Sequence, residues 1–178
     1  MTDKASLPNN EFSRMVEPAR MGDGTRHLVA DESERATLAR RFALVSIERL
    51  EADVTLQAEG EAVTVSGTLH AAYIQSCAVS GDDLSVTVEE PVMFRFVPMG
   101  TYRPDEEVEL SEDDCDEIEY EGGAFDLGEA ISQSLALTID PYATGPNAEQ
   151  TRKEAGLLNE EQTGPFAALA ALKTDKKE

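Results

Sequence analysis

Two histidines and two cysteines are the side chains of this 178-residue chain best suited to act as base, nucleophile or soft metal ligand. They stand apart, at His27, His70, Cys77 and Cys115. Nucleophilic catalysis needs a base beside the nucleophile. In AVTVSGTLHAAYIQSCAV (62–79) the odd positions Val63, Val65, Leu69, Tyr73, Cys77 and Val79 fall on one face of a strand, and His70 has the opposite parity. A Cys77–His70 dyad is therefore disfavoured. Cys77 reads as a core residue pointing inward, and both histidines as strand-surface residues. Zinc wants four Cys/His ligands at short paired spacings, which these isolated positions do not supply. Two cysteines also make no disulfide framework, so both read as free thiols in a reducing compartment.

The other chemistry-bearing stretch is VELSEDDCDEIEYEGG (108–123), with eight carboxylates and Cys115 in sixteen residues and no Lys or Arg. A calcium loop of the EF-hand kind needs alternate oxygen ligands, a central Gly and a twelfth-position Glu between two helices. Counted from Asp113 the sixth residue is Ile118, and EIEYE alternates like a strand. Three readings are ranked: a solvated spacer first, bait for a basic partner second, a metal site last. Neither GxxxxGK[ST] nor GxGxxG occurs, so no phosphate cradle is expected. No single Asp or Glu can be picked out as a general acid or base. Enzyme is the weaker class, and no cofactor is implied.

Charge narrows the partners. The net charge is −21, with 16 acids against 10 Lys/Arg in residues 1–104 and 20 against 5 in residues 105–178. Such a chain repels nucleic acid except at a local basic patch, and a basic protein is the easier partner. The one basic cluster is Arg35, Arg40, Arg41 and Arg49. Its first reading is solvation and complementation of a helix dipole; its sharper reading is contact with RNA phosphates. No window approaches the ~20 apolar residues that a bilayer span needs, and the start lacks an apolar signal region. A soluble cytoplasmic protein is expected.

These residues need elements to hold them. FSRMV and TRHLVA read as extended segments joined at an MGDG turn, with pairing between them plausible. DESERATLARRFA (31–43) predicts a helix, with Asp31 as N-cap, Glu34 closing a capping box, Leu38, Ala39 and Phe42 on one stripe, and Arg40 and Arg41 in the last turn. In IERLEADVTLQ the residues Leu50, Ala52, Val54 and Leu56 share one face of a half-buried strand. The 62–79 stretch follows as a second strand with a bend or bulge at Gly67. LSVTVEEPVMFRFV gives a third, with Leu84, Val86, Val88, Val92, Phe94 and Phe96 in phase and Pro91 at an edge or bulge. Three strands with short turns make an antiparallel meander. FDLGEAISQSLALTIDPY predicts a second helix over 126–138, capped by Asp126 with Glu129 completing the box, with Leu127, Ile131 and Leu135 four apart and Pro141 ending it. ATGPNAEQTRKEAGLLNEEQTGP reads as a mobile polar linker, and PFAALAALK as a short helix at about 165–173 presenting Phe166, Leu169 and Leu172.

The order of these pieces resembles the YceD family: a helix, a long strand ending at Cys77, EEPVMFRFVP, an acidic loop, Phe125-Asp126-Leu127-Gly128-Glu129, Leu135-Ala136-Leu137 and Pro141. The likeness covers roughly residues 12–142, and the terminal PFAALAALK looks like the tail of some relatives. The resemblance implies a non-enzymatic role in large-subunit ribosome biogenesis, with Cys77, Asp126, Leu127, Gly128, Glu129 and Pro141 as family-motif positions. Many relatives carry Cys-x-x-Cys after the long strand and His or Cys beyond the post-helix Pro, a set that could hold a metal. Here the run is Cys77-Ala78-Val79-Ser80, and no Cys or His follows Pro141.

The expected fold is α+β, an antiparallel sheet of long strands flanked by two helices, with a mobile C-terminal tail. Residues 1–142 form the domain, including an acidic connector at about 104–124, and residues 143–178 form the tail. The expected function is support of large-subunit rRNA accumulation by binding a basic ribosomal protein or an rRNA-containing precursor particle. Two other readings stay open, an acidic interaction module unrelated to ribosomes and a metal-dependent hydrolase.

Overall fold

In the computed structural model residues 11–100 and 116–156 are described. Three long strands form the centre: β3 (Ser46–Glu59), β4 (Ala62–Ser76) and β5 (Asp83–Pro98). They sit in a five-stranded sheet of order β2-β3-β4-β5-β6, with β2 (Gly24–Val29) and β6 (Asp116–Tyr120) outermost. Alternation decides the faces as the sequence predicts. Leu50, Ala52, Val54, Leu56, Val63, Val65, Leu69, Tyr73, Val92, Phe94 and Phe96 are all buried in one core, whereas Val86 and Val88 pack against its margin. The chain is thus α+β, with a difference at one edge: β6 runs parallel to β5, from Phe94↔Asp116 to Pro98↔Tyr120, so the sheet is mixed. The alternation of Ile118 and Tyr120 with glutamates does form the short strand predicted inside the acidic stretch.

The N-terminal segments do not pair with each other as expected. The strand β1 (Met15–Val16) pairs with β7 (Phe125–Asp126), and β2 pairs with β3. The reason lies between them, where Pro18–Arg20 forms a 3-10 turn that redirects the chain before the Asp23-Gly24 corner. Gly67 also carries no bulge. The β3–β4 register passes unbroken through Val54↔Gly67, and the shift falls between Ile47 and Arg49. Gly67 is needed for another reason: a Cβ there would collide with the Asp53 carbonyl and the Val54 Cα of the adjacent strand.

Helix α1 (Glu32–Arg41) begins with the predicted reciprocal box, since Asp31 Oδ1 accepts from Glu34 N at 2.9 Å and Glu34 Oε2 accepts from Asp31 N at 2.8 Å. It ends two residues before the predicted limit. Ala43 turns into the left-handed region at φ 54°, and Leu44 N–H donates to the Ala39 carbonyl at 2.9 Å, closing the helix end.

Helix α2 (Leu127–Thr138) buries Leu127, Ile131 and Leu135 completely in the same core as the sheet. Each contributes about 1.5–3 kcal/mol of apolar burial. Phe96 stacks on Phe125 at 3.8 Å between ring centroids, which fixes the entry of α2 against β5.

Among the described residues the chain forms two compact units, one comprising residues 11–75 and 85–140, the other Ser76–Leu84 with the chain from Pro141. The second unit contains an element that the linker reading missed, helix α3 (Ala148–Glu154). Only Ala148 is buried in it, so no apolar stripe betrays it, and it is supported by Lys153–Glu149 at 3.0 Å and Gln150–Glu154 at 2.7 Å. Phe166, Leu169 and Leu172, like Cys115 and residues 104–115 of the acidic connector, lie outside the described residues.

Candidate functional site

The motif residues Asp126, Leu127, Gly128 and Glu129 converge on the N-terminal segment. Asp126 caps α2 by accepting from Glu129 N–H at 3.2 Å. The same carboxylate accepts from Ser13 Oγ at 2.6 Å and from Arg14 N–H at 2.7 Å. Leu127 N–H donates to the Arg14 carbonyl at 3.0 Å. Gly128 leaves room for this approach, because a Cβ there would strike the Phe12 carbonyl and the Arg14 nitrogen. Phe12 and Val16 are thereby buried against the helix. The clamp is a cap shared between a helix and the segment just before β1, more than a hundred residues away in sequence.

Glu129 departs from the expectation made for it. Its side chain does not complete a capping box on Asp126; it takes a two-pronged pair from Arg41, at 2.8 and 2.7 Å, and one bond from Gln133 at 3.0 Å. Arg41 also reaches Glu11 at 3.1 Å. A fixed guanidinium plane matches a carboxylate better than the Asp126 N–H does, so the pair prevails. Arg41 holds the Glu129 carboxyl below the usual carboxylate range, and the pair raises Arg41 in turn.

A second ion pair ties the same segment to α1. Arg14 donates from both terminal nitrogens to Glu34, at 2.7 and 3.0 Å, and also to the Ser13 and Val29 carbonyls, with its guanidinium 4.5 Å from the centre of the Phe12 ring. Glu34 is buried, and the Arg14 hydrogen bond pulls its pKa down against the opposing effect of burial. Neither Arg14 nor Ser13 was picked out from the sequence. An isolated Arg in a short extended segment carries no periodic signal, and the partners lie 20 and 113 positions away.

The four arginines of the basic cluster have different surroundings. Arg41 is engaged as above. Arg35 donates to the Ala30 carbonyl at 2.7 Å and the Ile47 carbonyl at 3.2 Å. Arg40 is exposed and donates to Thr37 Oγ1 at 3.2 Å, and Arg49 is exposed on β3. The histidines are also separated: His27 Nδ1 lies 2.8 Å from Asp53 on the sheet's outer face, and His70 Nδ1 lies 4.0 Å from Glu89.

Cys77 is buried, as its parity requires, yet it sits just past the end of β4 and outside the main core. In the second unit its sulfur accepts N–H bonds from Ser80 and Gly145, both at 3.3 Å. Around it Cys77 N–H donates to the Asp82 carbonyl at 2.7 Å, Gly81 N–H to the Cys77 carbonyl at 3.0 Å, and Ala78 N–H to the Ala143 carbonyl at 2.9 Å. Ser80, then the Gly145 and Val79 N–H groups, lower the thiol pKa to about 6, with burial opposing them. Pro141 begins the segment that brings Gly145 to the sulfur. Ser80 donates its hydroxyl to Asp82 Oδ2 at 2.7 Å. One soft ligand beside a hydroxyl already bonded to a carboxylate does not fit a four-ligand zinc site. Among the described residues no three His, Cys, Asp or Glu side chains gather as a metal site, and no helix is long and apolar enough to cross a membrane.

An α+β domain whose motif residues act as a clamp between helix, strand and N-terminal segment is the class that this geometry defines. The chain belongs to the YceD family: residues 65–173 match the family model described as large ribosomal RNA subunit accumulation protein YceD. The match begins later and ends later than the 12–142 span of the sequence resemblance. No curated protein and no solved structure matches the chain. The family's description names accumulation of an RNA subunit and no reaction.

Proposed function

We propose that the protein supports accumulation of large-subunit ribosomal RNA without catalysing a reaction, by holding a basic ribosomal protein or an rRNA-containing precursor particle. The family match over residues 65–173 carries this reading. The mode of action is supported by the charge of −21, which favours a cationic partner over naked RNA. Where RNA is touched at all, the contact falls on Arg40 and Arg49, since Arg35 and Arg41 already spend their donors within the fold. The tail 143–178, through Phe166, Leu169 and Leu172, adds a second hold on the partner, so deletion of residues 163–178 weakens capture while leaving the domain folded. The protein acts in the cytoplasm.

Removal of the gene tests the reading. Free large subunits should fall in a sedimentation profile, and in-cell crosslinking should recover ribosomal proteins. An unchanged profile with no ribosomal protein among the crosslinks refutes it.

A further inference from the structure

Residues 11–16, Glu-Phe-Ser-Arg-Met-Val, sit in the fold as an extended peptide sits in a receptor. Among the described residues their hydrogen-bond and ion-pair partners outside the segment come from Val29 onward, and none is made to residues 17–23, which join the segment to β2. Successive positions are read by different groups. Glu11 meets Arg41 at 3.1 Å, Phe12 is buried, Ser13 gives its hydroxyl to Asp126, and Arg14 places both terminal nitrogens on Glu34. Met15 is 62% exposed, and Val16 is buried again. The main chain is held as well, by Asp126 and Leu127 at Arg14 and by the Met15↔Asp126 and Val16↔Phe125 pairs with β7. Gly128 keeps the floor low enough for the Phe12 carbonyl to pass. The joint on the C-terminal side is a single 3-10 turn, with Glu17, Ala19 and Arg20 exposed.

We propose that the cleft between α1 and α2 is a recognition site for an extended apolar-Ser-Arg-x-apolar segment of a partner protein, and that residues 11–16 hold it shut as an internal ligand. The inference rests on the functional reading above and names the site through which the basic partner is held. Three properties of the cleft carry over to a ligand in trans. Main-chain groups of β7 and the start of α2 offer hydrogen bonds that any extended segment can make. Two separated apolar seats, those of Phe12 and Val16, fix its register. The buried Glu34 carboxylate takes a guanidinium in a two-pronged pair, which selects Arg over Lys and repels a phosphate chain. The same contacts made in cis have the higher effective concentration, so the internal segment prevails until the partner is abundant or brings additional contacts.

Titration of the isotopically labelled full chain with the peptide acetyl-Glu-Phe-Ser-Arg-Met-Val-Glu-amide, followed by NMR, tests this. Phe12→Ala/Arg14→Ala loosens the internal segment, and this variant should bind the peptide saturably and about tenfold or more tighter than the parent chain, because more of the cleft stands open. Shifts are expected at Glu34 and at residues 125–129, and in the parent chain the signals of residues 12–16 should move to free-chain positions. Arg14→Lys, which keeps a positive charge, should give a smaller gain in the same direction, and it carries the comparison if the double variant loses its fold. A peptide with Ala in place of Phe and Arg should not bind. Equal affinity in parent and variants, no saturable binding by a variant that keeps its spectral dispersion, equal binding of the Ala peptide, or a dimer that exchanges residues 11–16 while ignoring the peptide would each overturn the proposal. None of these outcomes alters the sedimentation result, so the cleft can fail while the ribosomal reading stands.

Discussion

Replacing Asp126 with Ala removes one carboxylate that serves two structures. Loss of the α2 cap to Glu129 N–H costs about 1 kcal/mol. The Ser13 hydroxyl and Arg14 N–H also lose a charged acceptor that they meet at 2.6 and 2.7 Å. Bonds of this type are worth about 1.5–3 kcal/mol each, with the lower end appropriate to partly buried groups. The expected destabilisation is about 2–4 kcal/mol, because freed donors regain some hydration. Asp126→Asn separates the two roles. Asn caps a helix about as well as Asp and keeps one acceptor oxygen, so its cost should be about 1 kcal/mol or less. Urea unfolding with an unchanged m value measures both. Hydrogen exchange should accelerate at Arg14 and Val16 in the Ala variant while the β3–β4 ladder stays protected. Equal stability of the Ala and Asn variants, with unchanged exchange at residues 12–16, would refute the shared-cap reasoning.

Other outcomes follow from single positions. Ala43→Gly should stabilise the protein by about 0.5–1 kcal/mol, since an L residue is held at φ 54°; thermal unfolding reads this, and a loss of stability contradicts it. Glu34 and Glu129 have pKa values lowered chiefly by Arg14 and Arg41 respectively. The unfolded state therefore binds more protons, and their stabilisation is present above the ordinary glutamate pKa and lost as pH falls towards the folded values. Denaturation between about pH 5 and 3 should show this slope, and Glu34→Gln should flatten it; an unchanged slope excludes the Arg14–Glu34 pair as a contributor. In a Cys115→Ser background the thiolate absorbance of Cys77 should appear with a midpoint of about 6, and a midpoint near the ordinary thiol value would show that Ser80 and Gly145 do not stabilise the thiolate.

Much of the frame was readable along the chain because it depends on short-range periodicity. Two-residue alternation placed Leu50 to Leu56, Val63 to Tyr73 and Val92 to Phe96 on a buried face, and fourfold spacing placed Leu127, Ile131 and Leu135 beneath α2. The Asp31–Glu34 box was equally visible, since its partners lie three residues apart. Helix α3 was not, because its support is charged and only one residue is buried.

Local pattern therefore determined the three long strands, the two long helices and the face that each of these buries, because those choices are made by side chains within a few residues of one another. Tertiary structure alone decided that β6 runs parallel to β5, that β1 joins β7, that Gly67 and Gly128 clear a path for neighbouring backbone, and that Glu129 faces Arg41. Each of these depends on which distant segment the folded core brings within reach, and a charged or glycine residue carries no periodic mark of such a partner, whether Val54 facing Gly67 or Ser13 facing Asp126.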